Sequence, residues 1–136
     1  MVHPAILLQA EIYSVLAAST NLINALGSSA IFDDVPKNAK PPYVTFGDTL
    51  HFDWSTGTET GFEHQIALDV WSARRGRKEA LNIIQIIQNE LENLSETFDD
   101  YVIVNLTHES TEIVKDADRD LFRATLNLRI TTELAT

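Results

Sequence analysis

Apolar positions recur along this chain with two different periods. From Pro4 onward, Leu8, Ile12, Val15 and Leu16 fall three and four residues apart, which predicts an amphipathic helix to about Ala18. Pro4 suits the first helical turn, where its missing N–H is not needed. Residues 21–26 predict one further short turn, closed by Gly27. Farther along, Ala80, Ile84, Ile87, Leu91 and Leu94 form one stripe, with Leu81 and Ile83 beside it. This predicts a second helix from about Arg77 to Leu94 whose Ile-rich face is buried.

Elsewhere the period is two. Phe62, His64, Ile66, Leu68 and Val70 alternate with polar or small neighbours, the pattern of a half-buried strand. Phe122, Ala124, Leu126, Leu128 and Ile130 alternate with Arg123, Thr125, Asn127 and Arg129, so the last strand has one apolar and one wet face. Residues 101–112 are extended, with Val102, Val104 and Leu106 expected on one side, and residues 116–120 form a turn. Residues 43–46 form a strand, Gly47 marks a bulge or a close approach, and 48–54 continue with Leu50, Phe52 and Trp54 on one side. Residues 30–35 are a short extended piece, and 55–61 are expected to be a flexible polar loop. Pro36, Pro41 and Pro42 keep the intervening loop out of helix and sheet interior. Each strand has one apolar face. The economical fold is therefore α+β: a mainly antiparallel four- to five-stranded sheet with two helices packed on one face. No internal repeat divides the chain, and residues 1–136 are read as one domain.

Composition narrows the chemistry. The 136 residues are 44% hydrophobic and 22% charged, close to globular averages. The absence of cysteine excludes disulfide scaffolds, thiolate metal sites and cysteine nucleophiles. A net charge of −10 is a poor match to a phosphate-binding surface, so a dedicated nucleic-acid binder is not expected. No apolar run reaches the ~20 residues of a membrane span. The N-terminal apolar stretch lacks a basic leader, so no secretory signal is expected.

No catalytic or cofactor-binding set is visible. Asp116, Asp118 and Asp120 match the start of a calcium loop, but Leu121 stands where the turn needs Gly and Asn127 where it needs Glu. They read as a solvated hairpin turn. His3, His51, His64 and His108 have no metal-ligand spacing, and His64 reads as a satisfied core histidine. His108 and Glu109 are adjacent, so in a strand they point to opposite faces. Neither a phosphate loop nor a nucleophile elbow occurs. The adjacent carboxylates read as solvation and helix-end charge. An enzyme or ligand-binding α+β domain would need a pocket with convergent polar groups.

One cluster stands out. Arg74, Arg75, Arg77 and Lys78 gather positive charge in an acidic chain. It is either a solvated turn or a dock for carboxylates of a second copy or a partner, a role that suits the planar guanidinium fork. Cations at a helix start oppose the helix dipole, which points to another use for the charge. Trp54 and Trp71 flank this part of the fold and are either core or interface anchors.

The order of several short segments then resembles a known family. These are Ile31-Phe32-Asp33-Asp34-Val35-Pro36, Pro42-Tyr43-Val44-Thr45-Phe46-Gly47, Asp53-Trp54-Ser55-Thr56, Gly61-x-Glu63-His64, and Val70-Trp71-Ser72 followed by Gly76-Arg77-x-Glu79-Ala80. Together they resemble the tail-terminator (tail-completion) proteins of phages and gene transfer agents over nearly the whole chain. The resemblance implies a structural, non-enzymatic virion protein without cofactor or metal. It implies assembly into a homo-hexameric ring that caps the finished tail tube and meets the head-side connector or stopper. DNA would only pass through the lumen, and no membrane is involved. Location would be the virion at the head–tail junction, and the host cytoplasm during assembly. A head–tail connector or stopper ring is the alternative of the same structural kind. Candidate contacts with neighbouring subunits or the tube are Asp53, Trp54 and Ser55, then Trp71, Arg74, Arg75, Arg77 and Lys78, and, on the proline loop, Pro36, Lys37 and Lys40.

Overall fold

The computed structural model describes residues 3–73 and 77–135. The chain runs α1 (Pro4–Ala17), α2 (Thr20–Leu26), β1 (Ile31–Phe32), β2 (Tyr43–Asp53), β3 (Gly61–Ser72), α3 (Lys78–Leu91), β4 (Thr97–Phe98), β5 (Tyr101–Asp116) and β6 (Leu121–Leu134). The class is α+β, but the sheet has six strands in the order β1-β2-β3-β6-β5-β4, not four or five. β1 lies in the extended piece expected at residues 30–35, and the unforeseen strand is β4, only two residues long and too short to leave a period in the sequence. Only β1–β2 is parallel; the rest of the sheet is antiparallel.

There are three helices, not two. Ser19 breaks the N-terminal helical run by accepting a hydrogen bond from the Leu22 N–H (3.1 Å), which starts α2 as a new helix. Gly27, at φ 81°, ends α2 in the left-handed region open to glycine. His3 caps α1 by accepting from the Ala5 N–H through Nδ1 (3.0 Å).

The helices cover one face of the sheet. Leu8, Ile12 and Leu16 of α1 and Ala80, Ile83, Ile84, Ile87 and Leu91 of α3 are buried against Ile66, Leu68 and Val70 of β3 and Ala124, Leu126, Leu128 and Ile130 of β6. Leu81, expected beside the α3 stripe, is instead exposed. β3 and β6 pair without a break from Gly61↔Glu133 to Ser72↔Phe122. α1 lies on the β2 flank, where its residues meet Phe46, and α3 lies over β3 and β6 and reaches the β5 flank.

The outer strands are irregular. In β2 the register shifts between Phe46 and Thr49, so Gly47 and Asp48 oppose Ala67. A Cβ on Gly47 would lie 2.7 Å from Asp69 Oδ2 and 3.1 Å from Ala67 Cβ, so this is both the bulge and the close approach expected there. In β5 the register shifts between Ile103 and Asn105 and again between His108 and Ser110. The first shift places Val104 outside, so Ile103 and Leu106 pack on the core instead of the expected Val102–Val104–Leu106 row.

Candidate interaction surfaces

The sequence-derived candidates separate to the two ends of the sheet. Tyr43, Trp71, Arg123 and Val114 are register neighbours across β2, β3, β6 and β5 at one end. Asp53, Phe62, Thr132 and Ile103 are neighbours at the other. Trp54, next to Gly61, and Trp71 therefore lie about 33 Å apart along β3, at ~3.3 Å per residue. They do not flank one site.

At the first end, cations rest on aromatic rings. Arg119 and Arg123 lie 5.2 Å and 5.9 Å from the Trp71 ring, and Arg77 and Lys115 both lie 5.6 Å from the Phe122 ring. Trp71 Nε1 donates to Thr45 Oγ1 (3.0 Å), and the indole stacks on Tyr43. Arg119 pairs with Asp116 at 2.6 Å, and the same contact holds the Asp116 carboxyl below its ordinary value. Lys115 reaches Asp120 at 3.5 Å. These contacts make 116–120 the hairpin turn expected from its sequence, with Asp120 at φ 53°. Among the described residues, neither Arg77 nor Arg123 has a carboxylate at ion-pair distance. Arg77 and Lys78 are exposed at the start of α3, and Arg77 makes no side-chain cap. Arg74 and Arg75 lie outside the described residues. Pro36, Lys37 and Lys40 are exposed on the loop that enters this end through Pro41, Pro42 and Tyr43.

The second end is acidic. It brings Asp53, Glu59, Glu63 and Glu133 around the β2–β3 connection, with Asp99 and Asp100 in the adjoining β4–β5 turn. Arg129, nearby on β6, is already paired with Glu63 at 2.8 Å. The 55–60 connection, expected to be flexible, is tied by its own hydrogen bonds. Ser55 N donates to Asp53 Oδ1 (2.9 Å), and hydrogen bonding by the Ser55 side chain, with this backbone bond second, holds that carboxyl below its ordinary value. Trp54 N donates to Gly61 O (2.9 Å), Gly61 N donates to Ser55 Oγ (3.1 Å), and Glu59 N donates to Thr56 Oγ1 (3.1 Å). Trp54, Phe52 and Leu50 stay exposed beside it.

Three histidines meet beneath this end. The His51 and His64 Nδ1 atoms lie 2.8 Å apart, so one ring donates and the other accepts. His64 Nε2 also bonds Thr132 Oγ1 at 3.0 Å, and His3 packs edge-on against His51. Burial, with His51 and His3 adding to it, lowers the His64 pKa to about 4. Burial and His3 lower that of His51. Among the described residues no cluster has the arrangement of a metal site, and His64 is the satisfied core histidine expected. The His51–His64 contact was not read from sequence. Its signal is the hairpin: the two residues are equally distant from the middle of the 53–62 connection.

Two larger hollows remain. One, of about 640 Å³, lies between α3 and β5 and is lined by Leu91, Leu94, Ile103, Leu106 and His108. His108 there bonds Gln88. The other, of about 570 Å³, lies on the opposite face of the sheet and includes Glu109, Asp69 and Arg123. His108 and Glu109 thus do point to opposite faces. In the second hollow Thr125 donates to Asp69, and Asn127 donates to Ser110. Burial raises the Asp69 pKa. Its polar groups bond one another instead of converging on open space.

The sequence model of the family described as "Tail completion protein gp17" matches residues 10–133. The chain belongs to this family. A tail completion protein is a structural, non-enzymatic component of a virion. No curated protein matches the chain. Among solved structures, a chain from "Virion of native gene transfer agent (GTA) particle" superposes with a TM-score of 0.85 at 24% identity, covering 95% of this chain and 96% of that one. The fold is thus shared over almost the full length of both chains. Among the described residues no single helix is long and apolar enough to cross a membrane.

Proposed function

We propose that this tail completion protein forms a homo-hexameric ring that caps the finished tail tube and presents its other side to the head-side connector or stopper. DNA passes through the lumen without being read. The family match over residues 10–133 carries this reading. The two ends of the sheet support it, because they are chemically unlike, as a joint between two different partners needs. Asp53, Trp54 and Ser55 lie at the acidic end, and Trp71, Arg77 and Lys78, with Pro36, Lys37 and Lys40 on the loop beside them, at the cationic end; Arg74 and Arg75 join this set by sequence. In this reading each set faces one partner. Exposed aromatics and arginines are the residue types that anchor such contacts.

Light scattering on purified protein mixed with tail tubes, followed by negative-stain imaging, tests the reading. The expected result is a ring of six subunits on one end of each tube. Substituting Arg74, Arg75 and Arg77 by Glu is expected to abolish docking and leave the subunit folded. Tubes that stay uncapped at every ratio of wild-type protein overturn the reading. Capture of a portal complex in place of the tube assigns the protein to the connector side.

A further inference from the structure

Both flanks of the sheet are open, and the openings match. β1 covers only Val44 and Thr45 of β2, and β4 covers only Tyr101 and Val102 of β5. Residues 46–53 of β2 and 104–116 of β5 therefore have no strand on their outer side among the described residues, the Ile103 N–H being taken by Glu96 O (2.7 Å). Following the register across the sheet, Phe46 is level with Thr111, Thr49 with His108, and Asp53 with Ile103. The two short strands thus cap opposite ends, and the open stretches stand at the same height. β2 and β5 also run in opposite directions, since the full-length strands alternate.

The apolar surface is distributed in the same way. On the β2 flank, Ile6 (64% exposed) and Tyr13 lie one above the other on α1, beside Phe46, and Leu50 (58% exposed) and Phe52 project from β2 itself. On the β5 flank the corresponding feature is concave: the groove between α3 and β5, floored by Leu91, Leu94, Ile103 and Leu106.

We propose that the sheet runs on from one copy of this chain into the next. Residues 46–52 of β2 pair antiparallel with residues 104–111 of β5 in a second copy, and Ile6 and Tyr13 enter that copy's α3–β5 groove. The inference rests on the ring reading and names the surfaces that close the ring. The occupant is a second copy because the chain carries both halves of the contact. A strand from another protein would satisfy one flank and leave the other open. The contact is heterologous, so it closes into a ring when the rotation between copies permits. The bulges at 46–49, 103–105 and 108–110 act as a filter, since an irregular edge resists indiscriminate pairing and accepts a strand of matching irregularity.

The absence of cysteine permits a direct test. Full-length Thr49→Cys/His108→Cys and Thr49→Cys/Thr111→Cys variants are assembled on tail tubes and then oxidised. The expected product is a covalent ladder reaching the complete ring in at least one of the two. In a second measurement, Ile6→Glu/Tyr13→Glu, both at exposed positions, is expected to lower tube capping at least tenfold with an unchanged circular dichroism spectrum. Rings that assemble on tubes, give no covalent species with either cysteine pair and tolerate the α1 substitutions overturn the flank contact and leave the ring reading standing. Wild-type protein that caps no tube overturns the ring reading and this inference with it.

Discussion

The inner and outer strands of the sheet are built differently. β3 and β6 pair without interruption, and their helix-facing side chains are buried along their length. β2 and β5 each carry register shifts and keep apolar side chains in solvent. On its helix-facing side the inner pair is a closed core. The outer pair retains backbone groups and apolar area for contacts outside it. Burial is therefore concentrated in the inner strands of the sheet, and open edge in the outer ones.

The largest expected effect tests the inner pair. Leu68, fully buried on β3, changed to Ala is expected to lower unfolding free energy by about 2–5 kcal/mol, read by urea denaturation. A loss below ~1 kcal/mol would mean that the centre is not the stabilising region. The intermediate effect is that of pH on His64. Its folded pKa, about 4, lies below the ordinary value of 6.5. The folded state therefore binds fewer protons, so stability is complete above pH 6.5 and falls as pH drops toward 4. The loss is up to about 2 kcal/mol once solvent screening is allowed for. His51 and His3, which face the same ring, add in the same direction. A His64→Gln variant is expected to show a shallower stability slope between pH 6.5 and 4, and an identical slope would exclude His64 as the source. The smallest effect belongs to the outer strands. Leu50→Ser and Phe52→Ser are expected to change stability by no more than about 0.5 kcal/mol. A larger loss in the isolated subunit would erase the contrast between inner and outer strands.

The same contrast explains what was legible in the sequence. β3 and β6 were readable because one face is buried throughout, so the period of two persists from Phe62 to Val70 and from Ala124 to Ile130. β5 was readable as a strand but not in its facing, because the extra residue at Val104 inverts the positions after it until a second shift, between His108 and Ser110, restores them. β1 falls within the extended piece read at residues 30–35, whereas β4, only two residues long, left no pattern of its own. α2 was visible through Gly27, while the break before it depended on the Ser19 cap. Of the candidate site, residue types were legible and proximity was not. Arg77 and Trp71 do share an end, but Trp54 stands at the other, and Lys115, Arg119 and Arg123 join the cationic end only through strand pairing. Ile6 and Tyr13 escaped notice because an apolar residue on a helix signals burial until the packing shows which side it faces.

The separation of acidic and cationic ends makes the subunit an electric dipole lying along its strands. Such a molecule is turned by the field of a charged partner before the two surfaces touch, so its orientation is selected during approach. That guidance is short-ranged, with a screening length of about 8 Å at physiological ionic strength and about 3 Å in 1 M salt. Raising salt should therefore slow the productive encounter more than it loosens a joint already made, and tail completion would lose speed before it lost strength.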